Sequence, residues 1–282
     1  MKDELGAHVS VAGGVGNAPD RAAAIGSVVL QLFTKQPSRW AEPTIADEQR
    51  DAYVEGVRRH GIQAASAHDS YLINLASPDP TLHARSLDCF RGELARCRTL
   101  DVPLVVTHPG NATDGDYASG IARNAEAVEA ALDAVPDVAV LFETTAGAGR
   151  VLGATFEQLA DIVGRIDGRL QHRVGICFDT CHVWAAGYDL RTGYDDVMTR
   201  FDDVLGLERI RMFHLNDSLG ALGSRRDRHV DIGEGALGDE PFRRLLLDDR
   251  LTSVPKVLET PKGEDHVAAD RRNLERLRSY RM

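Results

Sequence analysis

The chain has 282 residues, 43% of them hydrophobic, and a formal net charge of −10. That is enough apolar sequence for a large core, and barrels of alternating strands and helices reach this length as one domain. The acidic balance, taken alone, argues against a nucleic-acid partner, since phosphate binding usually rests on a basic surface, although bound metal ions can reverse the sign of one face.

The start, MKDELGAHVS, carries no apolar stretch of signal-peptide length, and no later run approaches the ~18 apolar residues of a membrane span. No membrane partner and an intracellular, cytoplasmic location are therefore expected. Cys89, Cys97, Cys177 and Cys181 include no C-x-x-C pair, so free buried thiols are expected. No linker, composition break or short-period repeat divides the chain, which reads as a single domain over residues 1–282.

In chain order, Leu5 to Val11 reads as a strand and Asn17 to Ile25 as a helix with Pro19 and Asp20 near its start. Val28 to Phe33 is the second strand and Ala46 to His60 a helix; Ala64 to Ser70 is the third strand, followed by a helix over about Pro80 to Leu100. Pro103 to His108 (strand), Tyr117 to Ala134 (helix), Val138 to Thr144 (strand) and Phe156 to Ile166 (helix) continue the alternation. Val174 to Thr180 is the sixth strand, Tyr194 to Leu205 a helix, and Ile210 to Leu215 the seventh strand. A long loop, Asn216 to Glu240, precedes a helix at Pro241 to Leu247, an eighth strand at Pro255 to Thr260 and a last helix at Asp265 to Arg278. Strict alternation of eight strands with helices predicts an α/β fold, a closed (β/α)8 TIM barrel, rather than an open doubly wound sheet. The seventh loop is too long for mere connection and predicts a binding role.

Six of these strands close on residues able to bind a metal: His68, His108, Glu143, Asp179, His214 and Glu259. Parallel strands of a barrel share one C-terminal face, so the six converge. Three more candidates fall in loops on that face: His182, and the pair Asp227 and His229, whose i, i+2 spacing in an extended segment turns both to one side. A lone His or Asp at a strand end is more often a cap or a neighbour of a ligand than a ligand. Together, nine such groups would repel one another or need costly desolvation unless ions paired them. Imidazole and carboxylate donors without thiolate suit zinc, and also manganese or iron. Nine donors exceed the needs of one ion and imply two or three, with a bridging carboxylate, as in phosphoryl-transfer hydrolases. Three divalent ions would turn the four carboxylates into a site of about +2, suited to a phosphodiester.

Other features are weaker. GAGRVLG, Gly147 to Gly153, does not match a dinucleotide fingerprint and reads as a plain connection, as does GEG at Gly233 to Gly235. Ser224 lies in no G-x-S-x-G elbow, which argues against a serine hydrolase. His8 ends the first strand beside the ligand set but outside it; His60, His83, His172 and His266 read as surface residues. A sugar isomerase or epimerase on the same barrel, holding one or two ions, is the main alternative. A non-catalytic metal- or DNA-binding protein is another.

The stretches GAHVSVAGG, HDSYLINLASP, HPG, ETTAGAG, GICFDTCHVWAAGYDLRT, HLNDS, GSRRDRHVDIGEG and VLET run in order from Gly6 to Thr260. In them the sequence resembles the endonuclease IV family, zinc-dependent abasic-site endonucleases of base-excision repair. The resemblance implies three zinc ions, with manganese or iron able to take some positions. His68, His108 and Glu143 would hold one ion. Glu143 would bridge to a second, shared with Asp179, His214 and Glu259. His182, Asp227 and His229 would hold the third. Glu143 and Glu259 would be catalytic through the bridged pair. The implied reaction is hydrolysis 5′ to an abasic site in double-stranded DNA, giving a 3′-hydroxyl and a 5′-deoxyribose phosphate, with trimming of blocked 3′ ends by a monomeric enzyme. Tyr71 would enter the DNA from one side and Arg39 or Trp40 from the other. Two positions depart from the family's pattern: Thr144 stands where Asn is usual, and Ser38 where an arginine is common at or near that point.

Overall fold

A computed structural model describes residues 4–281. Its strands are β1 (Leu5–His8), β2 (Val29–Phe33), β3 (Ala64–His68), β4 (Leu104–Thr107), β5 (Ala139–Glu143), β6 (Val174–Asp179), β7 (Ile210–His214), the short β8 (Asp217–Ser218) and β9 (His229–Val230), and β10 (Lys256–Leu258). The helices are α1 (Ala18–Ala24), α2 (Asp47–His60), α3 (Pro80–Thr99), α4 (Tyr117–Ala134), α5 (Phe156–Arg165), α6 (Thr180–Ala186), α7 (Tyr194–Leu205), α8 (Glu240–Leu247) and α9 (His266–Ser279). β1 to β7 and β10 close into one parallel barrel, while β8 and β9 form a separate antiparallel hairpin. This is the expected (β/α)8 barrel. No helix among the described residues is long and apolar enough to cross a membrane.

Alternation along each strand sends one set of side chains into the barrel and the other toward the helices. Val29, Leu104, Val106, Ala139, Leu141, Cys177, Met212 and Val257 form the inner apolar plug. The outward set joins the helices in a second core, where Phe156, Phe178 and Phe201 meet with ring centroids 5.0–6.2 Å apart. Burying each such ring contributes about 1.5–3 kcal/mol. All four cysteines are buried and free, as expected.

The structure departs from the sequence reading mainly beyond the inner plug. β1 stops at His8 rather than Val11, β3 at His68 rather than Ser70, and β10 covers only Lys256–Leu258 of the expected Pro255 to Thr260. After His68 one further bond, Asp69 N to Val106 O of β4, ends the ladder, and the chain then turns into a loop held by a side chain, with Ser70 Oγ donating to Pro37 O at 2.6 Å. The segment after Asp179, expected as a loop, is α6. Asp179 caps it by accepting from His182 N at 2.7 Å, and Gly187, at φ 109°, ends it in the left-handed region open to glycine.

At the opposite end of the barrel from the strand C-termini, Lys256 is fully buried. Its Nζ donates to Leu251 O at 2.8 Å and Val254 O at 2.7 Å and lies 5.7 Å from the Phe213 ring centroid. Burial pushes its pKa from 10.5 down to about 7, with the Arg281 charge adding to the shift and Glu4 opposing it. Between those two values the unfolded chain carries a proton that the folded chain has shed, so this group makes stability rise with pH across that window. Below about pH 7 both states are protonated and the contribution is flat. Urea unfolding between about pH 6 and 10 should show wild type gaining stability on Lys256→Met as pH rises; parallel profiles for the two proteins would contradict this.

Candidate metal centre

The barrel's alternation delivers the candidate ligands. Two residues beyond Val106, Leu141, Cys177, Met212 and Val257 of the inner plug stand His108, Glu143, Asp179, His214 and Glu259, and His68 stands two beyond Ser66. The same facing that fills the barrel lower down therefore points these groups into its mouth.

Glu143 is their hub. It is fully buried. Its Oε2 lies 3.1 Å from His68 Nε2 and 3.0 Å from His108 Nε2; its Oε1 lies 2.9 Å from His214 Nδ1 and 3.2 Å from His182 Nδ1. Three groups of potential ligand atoms, each within 4.8 Å of one another, are His68 with His108 and Glu143; Glu143 with Asp179, His214 and Glu259; and His182 with Asp227 and His229. All nine residues singled out in the sequence are thus brought together, in the three sets expected. A fourth grouping, Asp179, Cys181 and His229, brings in a thiol that the sequence reading had set aside.

The histidines are oriented from behind. His68 Nδ1 meets Asp69 O at 3.0 Å, His182 Nδ1 meets Thr144 O at 2.8 Å, His229 Nδ1 meets Glu259 O at 3.3 Å, and His214 Nε2 meets Gln31 Oε1 at 3.0 Å. Each acceptor holds an N–H and leaves the other ring nitrogen turned toward the carboxylates, the arrangement typical of metal-ligating imidazoles. The forward Nε2 atoms of His182 and His229 are buried without a hydrogen bond, although Asp227 oxygens lie 3.2 and 3.1 Å away. Such orphaned nitrogens beside carboxylates fit a shared cation.

Electrostatics agree. Burial alone would push the His68 imidazole down, but the hydrogen bond and charge of Glu143 bring it up to about 9. His229 rises to about 11 against its own desolvation, through the charge of Asp179 and the Asp227 contact. Desolvation would raise Glu143 and Glu259, yet the neighbouring imidazoles, His214 foremost, hold both well below the carboxylate range. Imidazolium and carboxylate thus neutralise one another across the mouth, and uptake of ions would displace those protons.

Several supporting residues escaped the sequence reading. Gln31, the one polar residue within β2, is fully buried; its Nε2 donates to Glu259 Oε1 at 2.6 Å while its Oε1 accepts from His214 and from Ser66 Oγ. Asn216 donates through Nδ2 to Asp179 Oδ2 at 2.7 Å and accepts Glu259 N through Oδ1 at 2.9 Å, tying two candidate ligands together. His8 Nδ1 lies 3.3 Å from Glu259 Oε1, beside the ligand set as expected. His172 and His266 are exposed, and His60 and His83 half-buried, all away from the mouth.

The groups line a cleft of about 570 Å³ bordered by Tyr71, Arg228 and Lys262. Arg225, Arg226 and Arg228 are exposed on the loop that carries Asp227, so a local basic edge stands on an acidic chain.

A family model described as a xylose isomerase-like TIM barrel matches residues 19–280. The probable endonuclease 4 of Trichlorobacter lovleyi is 45% identical over 283 residues, covering 99% of this chain and 100% of that one. The chain belongs to the endonuclease IV family. The probable endonuclease 4 of Thermoplasma acidophilum is 43% identical over 93% of this chain and 90% of its own. The crystal structure of endonuclease IV from Thermus thermophilus superposes with a TM-score of 0.87 at 35% identity, covering 98% of each chain. A D-tagatose 3-epimerase-like structure, at 18% identity and a TM-score of 0.69, shares the fold alone.

Thr144, the first departure from the endonuclease IV pattern, ties the end of β5 to β6 and α6: its Oγ1 accepts from Asp179 N at 2.9 Å and its carbonyl holds His182. Tyr71 is 68% exposed and rests edge-on against Phe33, with ring centroids 5.4 Å apart. Arg39 is exposed, whereas the half-buried Trp40 ring lies under the Arg85 guanidinium at 4.4 Å. The loop carrying both is pinned from below by buried Lys35, which donates to Arg39 O at 2.8 Å and Glu42 at 2.6 Å.

Gln31 offers a direct check on the rear bonding. Gln31→Leu should leave the fold intact but weaken metal retention about 10–100-fold in a chelator competition, because His214 and Glu259 lose their common partner. Unchanged retention would show that Gln31 does not orient them.

Proposed function

We propose that this chain is a metal-dependent endonuclease that hydrolyses the phosphodiester 5′ to abasic sites in double-stranded DNA, leaving a 3′-hydroxyl and a 5′-deoxyribose phosphate. Trimming of blocked 3′ ends follows from the same chemistry. The observation that carries the reading is the set of three contiguous ligand groups joined at Glu143, in a chain 45% identical over its length to a probable endonuclease 4. The full-length relatives favour this over a sugar isomerase or epimerase, whose likeness lies in the barrel.

In this reading His68, His108 and Glu143 hold one zinc ion, Glu143, Asp179, His214 and Glu259 a second, and His182, Asp227 and His229 a third, with manganese or iron able to substitute. When bound, the ions supply Lewis acidity toward the phosphate oxygens and activate water for attack. Glu143 and Glu259 fix their spacing and orientation. Gln31, Asn216 and Thr144 hold those carboxylates and imidazoles in place before substrate arrives, so little reorganisation is left for the reaction. Arg225, Arg226 and Arg228 supply positive charge to the backbone at the cleft edge.

A phosphate inside a straight stacked duplex cannot reach the barrel mouth, so the damaged nucleotide is turned out of the helix. Tyr71, exposed above Phe33, fills the gap by stacking on bases. Arg39 and Trp40 act from the second loop; the Trp40 ring, covered by Arg85, stiffens that loop, and Arg39 takes the place of the arginine missing at Ser38. The protein works as a monomer inside the cell.

Gently purified protein should approach three transition metals per chain, mainly zinc, and nick an abasic duplex; full activity with one ion would sink this model. Glu143→Gln should slow nicking about 100-fold or more while abasic DNA still binds. Near-normal turnover would remove Glu143 from its role. Tyr71→Ala should weaken abasic-duplex binding about tenfold with metal content unchanged, and spare trimming of frayed 3′ ends more than internal nicking. Equal loss of both activities, or of neither, would count against a wedge.

A further inference from the structure

The third ligand group differs from the other two in what holds it. His68, His108, Glu143, Asp179, His214 and Glu259 all stand in or next to barrel strands. Asp227 and His229 belong to the long excursion after β7, and only their partner His182 sits on a helix attached directly to a strand. Asp227 is half exposed, with its side chain at 50%. Something must therefore fix where this excursion returns.

That contact is the carboxylate of Asp217, which is itself fully buried. It accepts four backbone N–H groups: Ser218 N at 2.7 Å and Leu237 N at 3.0 Å on Oδ1, Gly235 N at 3.0 Å and Gly238 N at 3.1 Å on Oδ2. The Ser218 carbonyl adds Ala236 N at 2.7 Å. The returning segment 235–238 is thus stitched to residues 217 and 218, and the hairpin register is set between them, with Asp217 opposite Val230 and Ser218 opposite His229. The stitch leaves no room for a side chain at Gly235, where a Cβ would collide with the Asp217 carboxylate and the Ser218 carbonyl. A buried carboxylate with four N–H donors is a strong, directional clamp, and its loss would leave those donors without partners.

We propose that Asp217 is the positioning residue for the third ion: it sets the register of the β8–β9 hairpin so that His229 and Asp227 meet His182, while the other two ion positions do not depend on it. This rests on the three-ion reading above. Asp217 touches no candidate ligand directly and acts through backbone alone. A merely structural role would lower stability without singling out one ion.

The test titrates zinc from the loaded full-length protein with a chelating indicator and follows thermal melting in parallel. Asp217→Asn keeps the shape but puts an NH2 against backbone N–H donors; Gly235→Ala disturbs the same clamp from the other side. Both variants should keep two ions at wild-type affinity and hold the third about 10–100-fold more weakly. Retention of all three ions at wild-type affinity in both variants, or uniform weakening of all three, would overturn the assignment. A wild-type protein that itself binds fewer than three ions would instead overturn the three-ion reading, and this inference with it.

Discussion

Glu143 is a carboxylate with no solvent exposure and four imidazoles within 3.2 Å of its oxygens. A buried charge of this kind costs several kcal/mol to desolvate and persists only if its surroundings repay the cost. The mouth is built around that demand. Histidines from β3, β7, α6 and the loop after β4 approach it, and each of the three on defined elements is backed by an acceptor that fixes its tautomer. The ring of groups makes sense as a cation site because protonated histidines are the costlier way to balance four carboxylates in so dry a place.

The acidic chain and a polyanionic substrate are reconciled on the same terms. Net charge describes the whole surface, whereas a ligand in the mouth meets the local field, to which Arg228 and Lys262 at the cleft and the exposed Arg225 and Arg226 on the same loop as Arg228 add positive charge. Ions in the mouth would add to that local field. The rigid parts of the centre hang from barrel strands, and the parts proposed to meet DNA, Tyr71 and the segment pinned by Lys35, lie on loops. This division of scaffold and reach is common to barrel enzymes.

Much of the centre was legible in the sequence because it obeys a short period. Each apolar strand ends on a residue whose facing is already set by the plug beneath it, so the convergence of His68, Glu143, Asp179 and His214 needed only the barrel. The resemblance to a known family assigned these residues to the three sets in which the structure gathers them. Other parts have no such period. The helix α6 hides inside a loop-like string and depends on Asp179 both capping it and facing the mouth. Gln31 looked like one polar residue in an apolar strand, and Asn216 and Asp217 like ordinary loop residues. Their importance lies in partners brought near by distant chain segments, such as the Glu259 and His214 side chains for Gln31, the Glu259 N–H for Asn216 and the Leu237 N–H for Asp217. Trp40, read as a DNA contact, has a ring engaged by Arg85, a partner that spacing could not reveal.

Anomalous diffraction at the zinc absorption edge, from crystals of the metal-replete protein, tests the central claim most directly. The account predicts three peaks: one among His68, His108 and Glu143, one among Glu143, Asp179, His214 and Glu259, and one among His182, Asp227 and His229. A single peak, or density that avoids Glu143, would contradict it.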